Sequence, residues 1–131
     1  CDGIRFSSME QYMMYQKAIC FGDTKIAEKI LETTDVAQIK AFGRQVSNYN
    51  ETIWNGKRQI LVYNGLCAKF QNPELKAKLK ATGDAVLAEC AVRDCIWGIG
   101  LSMTDPKRLE MDKWRGKNLL GFSLMIVRDE I

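Results

Sequence analysis

VLAECAVRDCIWGIGL, residues 86–101, is the stretch whose reading decides the fold. Its first half, VLAECAV, is an apolar run of strand length, whereas most of the chain before it is patterned for helix. A strand needs partners, and the other short runs rich in branched residues are GIRF at 3–6 and FSLMIVR at 122–128. Together the three predict a small β-sheet in a mainly helical chain, hence an α+β domain. Glu89, inside the run, either faces solvent or is buried with a partner such as Arg93, because an unpaired buried carboxylate is too costly to ionise. Asp94 follows the strand end, a place where ligand-binding groups collect. Then come Trp97 and a Gly-Ile-Gly turn, in which Gly98 and Gly100 permit close backbone approach or positive φ. An ordinary tight turn under a packed Trp explains the same residues, and a single GxG lacks the context of a dinucleotide fingerprint.

Working back toward the N-terminus, helix signals dominate. Ser7 and Glu10 have the S-x-x-E spacing of a capping box ahead of a helix from residue 8 to about 21. Asp23 and Asp35 are placed to cap TKIAEKILE and VAQIKAFGRQV, and Asn50 to cap ETIWNGKRQILVYNGLCAKF, where Ile53, Ile60, Leu61, Tyr63, Leu66 and Phe70 recur near helical spacing. Gly56 and Gly65 each weaken that long helix by about 1 kcal/mol relative to Ala, which points to a bend or a close neighbour. Asn72-Pro73 opens ELKAKLKATG, and Gly83 closes it. Nothing in composition marks an internal boundary, so residues 1–131 read as one domain.

Composition removes whole classes of chemistry. The 131 residues contain no histidine, which excludes Ser-His-Asp triads, Cys-His nucleophiles and HExxH metal sites. Proton transfer in an enzyme of this composition falls to carboxylates, Lys, Tyr or Cys. Five cysteines without CxxC spacing fit neither a disulfide framework nor a zinc site, and predict reduced thiols in an intracellular, cytoplasmic protein. No metal and no cofactor are expected. A net charge of +3 spread along the chain neither demands nor forbids a nucleic-acid partner, and no run is apolar enough to cross a membrane.

Three constellations carry candidate chemistry. In SSMEQYMMYQKA, Glu10 and Lys17 lie two helical turns apart on one face, about 10 Å along the axis. Plain structural readings exist for both, a capping-box carboxylate and a solvated helix charge. The second constellation is Asp94 with Trp97, Gly98 and Gly100. The third is WRGKNLLGF at 114–122, where Gly116, Asn118 and Gly121 surround a helix start whose amides are suited to a phosphate, with Lys117 nearby. Arg44, Arg58 and Lys69 have the reach to join such a pocket, though each also reads as surface charge.

These segments, in this order, resemble the NADAR family. The resemblance is carried by EQYMMYQKA (10–18), Lys40 with Gly43-Arg44, Trp54, AKF (68–70), TGD (82–84), Glu89 with Asp94, WGIGL (97–101) and WRGKNLLG (114–121). WGIGL preceded by Asp, then W-x-G-x-N-x-L-G, is the specific part, and the matches span nearly the whole chain. The chain opens CDGIRF without an initiator Met, and is expected to start after the family's usual leading segment with its S-N-F type motif.

The resemblance implies a mostly helical α+β fold and N-glycosidase activity, in which water replaces a nitrogen base at ribose C1. Some members act on phosphoribosyl-linked riboflavin intermediates, others remove ADP-ribose from guanine in nucleic acid, and the family's name refers to NAD and ADP-ribose. Such cleavage passes through an oxocarbenium-like ribose and needs negative charge near C1, an acid for the leaving nitrogen and a base for water. Under the resemblance either two carboxylates divide those tasks, or Lys17 attacks C1 and forms a Schiff base with the opened ribose, given a pKa lowered by burial or a nearby cation; the second is the preferred expectation. Glu10 is expected as its proton-transfer partner, and Asp94 at the ribose hydroxyls or C1. Trp54 or Trp97 is expected to stack on a base. Arg44 and Lys69 are expected to pair with phosphates, and Gly98, Gly100, Asn118 and Gly121 to approach phosphate or ribose. The leading expectation is removal of ADP-ribose from guanine in DNA or RNA. The alternatives are cleavage of phosphoribosylamino-pyrimidines, a module that binds ADP-ribose or NAD without cleaving it, and a structural interaction protein.

Overall fold

A computed structural model describes residues 3–131, in two compact units, Cys1–Gly65 and Leu66–Ile131. The first holds α1 (Met9–Cys20), α2 (Thr24–Leu31), α3 (Val36–Arg44) and most of α4 (Glu51–Lys69). The second holds the end of α4, α5 (Pro73–Ala81), two 3₁₀ turns (Pro106–Leu109 and Met111–Lys113) and α6 (Leu119–Glu130).

The first unit follows its caps. Asp23 Oδ1 accepts from Ile26 N, Asp35 Oδ1 from Ala37 N and Asn50 Oδ1 from Ile53 N, so α2, α3 and α4 begin where short polar side chains meet the free amides. At α1 the cap is displaced by one residue from the predicted box. Ser8, not Ser7, accepts from Gln11 N at 3.1 Å, and Gln11 Oε1 reaches back to Ser7 N. Glu10 is thereby left out of the box and exposed. Ala18, Ile26, Ala27, Ile30, Ile39 and Val46 form the core between α1, α2 and α3, with Met14, Phe21 and Phe42 against it. Gly43 lets the Met14 thioether lie on α3, and the Tyr12 hydroxyl donates to Leu61 O at 2.8 Å, fixing α1 to α4.

Gln11 is the polar centre of this unit. Buried, it donates through Nε2 to Ile30 O at 3.0 Å and Thr33 O at 2.9 Å, closing one carbonyl in the last turn of α2 and one just past its end from the N-terminal turn of α1.

The predicted sheet is absent. No strand occurs among the described residues, and the fold is helical rather than α+β. GIRF runs irregularly into the α1 cap, its Phe6 ring packing against Tyr12 and Tyr15. FSLMIVR lies within α6, because Leu120, Leu124 and Val127 recur at i, i+4 and i+7 and build one helical face. VLAECAV stays irregular and largely exposed, with Val86 52% and Val92 63% accessible. Its backbone is met by a side chain: Asn118 Oδ1 accepts from Glu89 N at 2.9 Å, and Asn118 Nδ2 donates to Leu87 O at 2.8 Å. One carboxamide does the work of the neighbouring peptide that a sheet would supply.

In the second unit Asn72 caps α5 ahead of Pro73, and Gly83 follows it at φ +61°. The Arg128 guanidinium, on α6, donates to Thr82 Oγ1 and Ala85 O and fixes the turn after α5. No helix among the described residues is long and apolar enough to cross a membrane.

Replacing Gln11 by Leu keeps its volume but strands the Ile30 and Thr33 carbonyls and the Ser7 amide. Urea denaturation is expected to show a loss of about 2–3 kcal/mol.

Candidate active site

Each unit holds part of the predicted set. In the first, Lys17 sits in the last turn of α1, half-buried, with Nζ 4.5 Å from the centroid of the Tyr49 ring. Tyr49 was not among the sequence candidates; its only signal is an aromatic in the polar turn SNYN after α3. The ring rests edge-on against Phe21, centroids 5.4 Å apart. Burial holds the Lys17 amine below the usual lysine pKa, and the positive charge of Arg44, at the end of α3, pushes it the same way. These are the two conditions a nucleophilic lysine requires.

Glu10 lies on the same helix seven residues earlier, about 10 Å along the axis, exposed and in no ion pair with Lys17. The structure does not join the two as a hydrogen-bonded pair. Trp54 is buried in α4, its relative exposure 6%.

In the second unit Asp94 Oδ1 accepts from Ile96 N at 3.0 Å and Trp97 N at 2.8 Å. The carboxylate therefore shapes the turn that carries Trp97, which is half-buried, and its Oδ2 takes neither of those bonds. Arg93 is exposed and is not the partner of Glu89 in an ion pair. The turn continues through Gly98 and Gly100. A Cβ on Gly98 would stand 2.9 Å from both Asp94 O and Glu89 O, and Gly100 has φ +70°, so both glycines are required by the chain's own backbone.

The start of α6 is closed in the same way. Asn118 is fully buried in the left-handed region, φ 53°, and its N–H donates to Gly98 O at 3.0 Å. Lys117 N donates to Cys95 O, Leu119 N to Ile96 O and Leu120 N to Trp97 O. The amides that the sequence offered to a phosphate are thus committed to carbonyls of residues 95–98. Gly121 is a contact glycine as well, with Leu87 O and the Asn118 amide where a Cβ would be. Lys69 is exposed, its Nζ 5.9 Å from the Phe70 centroid. Among the described residues no three His, Cys, Asp or Glu side chains gather to hold a metal, and Cys20, Cys67, Cys90 and Cys95 are free thiols.

Comparison with known proteins identifies the family. The family model of the NADAR domain matches residues 1–131. The chain belongs to the NADAR family. Its NADAR relatives include the N-glycosidase R617 of Acanthamoeba polyphaga mimivirus, 44% identical over 126 residues, covering 95% of this chain and 74% of that protein. The N-glycosidase YbiA of Escherichia coli is 31% identical over 131 residues, covering 99% and 73%. The riboflavin biosynthesis protein VVA0006 of Vibrio vulnificus is 32% identical over 131 residues, covering 99% of this chain but 32% of that longer protein. The NMR structure of Escherichia coli YbiA superposes with a TM-score of 0.78, over 98% of this chain and 69% of the other. This NADAR chain is accordingly a hydrolase of the N-glycosidase class.

Asn118→Asp separates structure from ligand binding. It keeps an acceptor for Glu89 N but sets oxygen against the Leu87 carbonyl. A thermal melt is expected to show destabilisation of about 2–3 kcal/mol in the absence of any ligand.

Proposed function

We propose that the chain cleaves the bond between a base nitrogen and ribose C1 with Lys17 as nucleophile, and that its substrate is ADP-ribosylated guanine in nucleic acid. The observation that carries this reading is the Lys17 amine itself. In a chain without histidine it is partly desolvated and repelled by Arg44, so more of it is neutral near pH 7 than in an ordinary lysine. Nζ attacks C1, the C1–N bond breaks, and the electron pair leaves on the base nitrogen, which takes a proton from an acid. Opening of the ribose ring gives a protonated Schiff base. Water adds to C1, expels the lysine and releases the ribosyl product. Glu10, exposed and two turns earlier on α1, forms no ion pair with Lys17, and its proposed role in this scheme is proton transfer at the leaving base or the water.

The substrate is supported by the family resemblance and by a Lys17–Arg44 cation pair that suits a phosphate-bearing ligand. A second reading, cleavage of a phosphoribosylamino-pyrimidine, is favoured by the name of the Vibrio vulnificus relative. Asp94, with Oδ2 outside its turn, is proposed for ribose hydroxyls. Tests with Asp94→Asn must include a melt, because that change also touches the turn. Intracellular, cytoplasmic residence is proposed with the substrate.

Release of free ADP-ribose from an ADP-ribosylated guanine oligonucleotide, run beside the pyrimidine substrate, decides between the two. Lys17→Ala is expected to lower the rate by about three orders of magnitude or more. Borohydride added during turnover should leave a reduced ribosyl adduct on Lys17. A wild type that binds ADP-ribose yet turns over neither substrate would make the chain a binding module.

The pH dependence follows from the direction of the Lys17 shift. The reactive form is the neutral amine, so the rate rises with pH through a pKa below 10.5. Arg44→Ala removes one of the two influences that lower it. The rising limb of a single-turnover profile is then expected to move to higher pH.

A further inference from the structure

We propose that Tyr49 is the positioning residue of the Lys17 amine, its ring fixing where Nζ stands up to the loss of the proton that readies it for attack on ribose C1. The inference rests on Lys17 being the nucleophile. A lysine head group on a four-carbon stem is highly mobile, and a nucleophile that wanders loses much of the advantage of proximity. Here Nζ stands 4.5 Å from the ring centroid, inside the range of a cation–π attraction.

The ring is itself anchored from several parts of the fold, one of which, Phe21, also donates its backbone N–H to Lys17 O at 3.3 Å. Tyr49 lies in the loop between α3 and α4. Val46, at the start of that loop, is buried in the core. Ser47 N donates to Asp23 Oδ2 at 2.9 Å, while Asp23 Oδ1 caps α2. Asn48 then takes the left-handed conformation, φ 60°, which turns the chain directly before Tyr49. Phe21, just past the end of α1, meets the ring edge-on. The loop is thus tied to α2, the ring to the residue that caps α1, and the ring in turn to the amine.

The attraction depends on charge. It holds the ammonium and loses its hold on the neutral amine, which has no full charge for the ring quadrupole to act on. Arg44 and burial act in the opposite sense, favouring loss of the proton. The ring therefore holds Nζ in place up to deprotonation, which burial and the guanidinium promote, and the neutral amine begins its attack from that position. The ring face is the operative group, so phenylalanine should serve as well as tyrosine.

The test compares Tyr49→Phe, Tyr49→Leu and Tyr49→Ala with the wild type. Tyr49 is about half exposed, so the variants should fold, and circular dichroism checks it. Two readouts are taken. The first is kcat and KM on whichever ribosylated substrate the wild type turns over. The second, independent of activity, is the NMR shift of the Lys17 Hε protons, assigned by their loss in Lys17→Arg, which an aromatic ring nearby moves upfield. Expected are an upfield Lys17 signal and wild-type kcat in Tyr49→Phe. In Tyr49→Leu and Tyr49→Ala the signal should return to the ordinary lysine position and kcat fall about tenfold to a hundredfold, with KM little changed. An ordinary Lys17 shift in the wild type, or full kcat in Tyr49→Ala with Lys17→Ala inactive, overturns the proposal. An upfield shift abolished in Tyr49→Leu, with Lys17→Ala still active, overturns the nucleophile reading instead and leaves the ring's hold on the amine standing.

Discussion

The second unit depends on one buried carboxamide. Asn118 satisfies the backbone at Leu87 and Glu89 with its two polar atoms, while its own N–H meets Gly98. Three segments, the extended run at 86–92, the glycine turn at 97–100 and the start of α6, are held by a residue that bridges them all. Asparagine suits the place because it also tolerates the left-handed conformation that the chain adopts there. Asp94 and Trp97 owe their positions to the same arrangement, since their turn supplies the carbonyls that close the N-terminus of α6.

Helices were the legible part of the sequence. Caps at Asp23, Asp35, Asn50 and Asn72 and the glycine after α5 could be placed because each solves a local problem of unpaired amides or carbonyls. The cap of α1 was misplaced by one residue because Ser7 and Ser8 are adjacent and both Glu10 and Gln11 can complete a box. The sheet was misread for a deeper reason. Branched residues in VLAECAV signal an extended backbone, but a sheet is a property of pairs of strands, and no local pattern reveals that the partner is an asparagine side chain thirty residues away. FSLMIVR was ambiguous by length, and only the preceding Leu-Leu-Gly extends its helical period.

The candidate site was legible as chemistry more than as geometry. The absence of histidine and the EQYMMYQKA motif pointed to Lys17, and the structure supplies the burial and the neighbouring cation that such a lysine requires. Tyr49 was invisible because the contact joins two elements far apart in sequence. Gly98, Asn118 and Gly121 looked like ligand-facing residues for the same reason in reverse: small and carboxamide side chains are needed wherever a backbone comes close, and here it is the protein's own backbone that does.

The Asn118 bridge also determines what kinds of change the run at 86–92 can absorb. Its contacts are with the main chain at Leu87 and Glu89, so the side chains of Val86 and Val92 are free of any pairing rule and can drift in size and polarity. The spacing between the two bonded peptide groups has no such freedom. A residue inserted or deleted between Leu87 and Glu89 would pull one group out of reach of a carboxamide whose two atoms sit a fixed distance apart. The segment is therefore permissive toward substitution and intolerant of a change in length, the reverse of what its exposed, irregular character would lead one to assume for a surface loop.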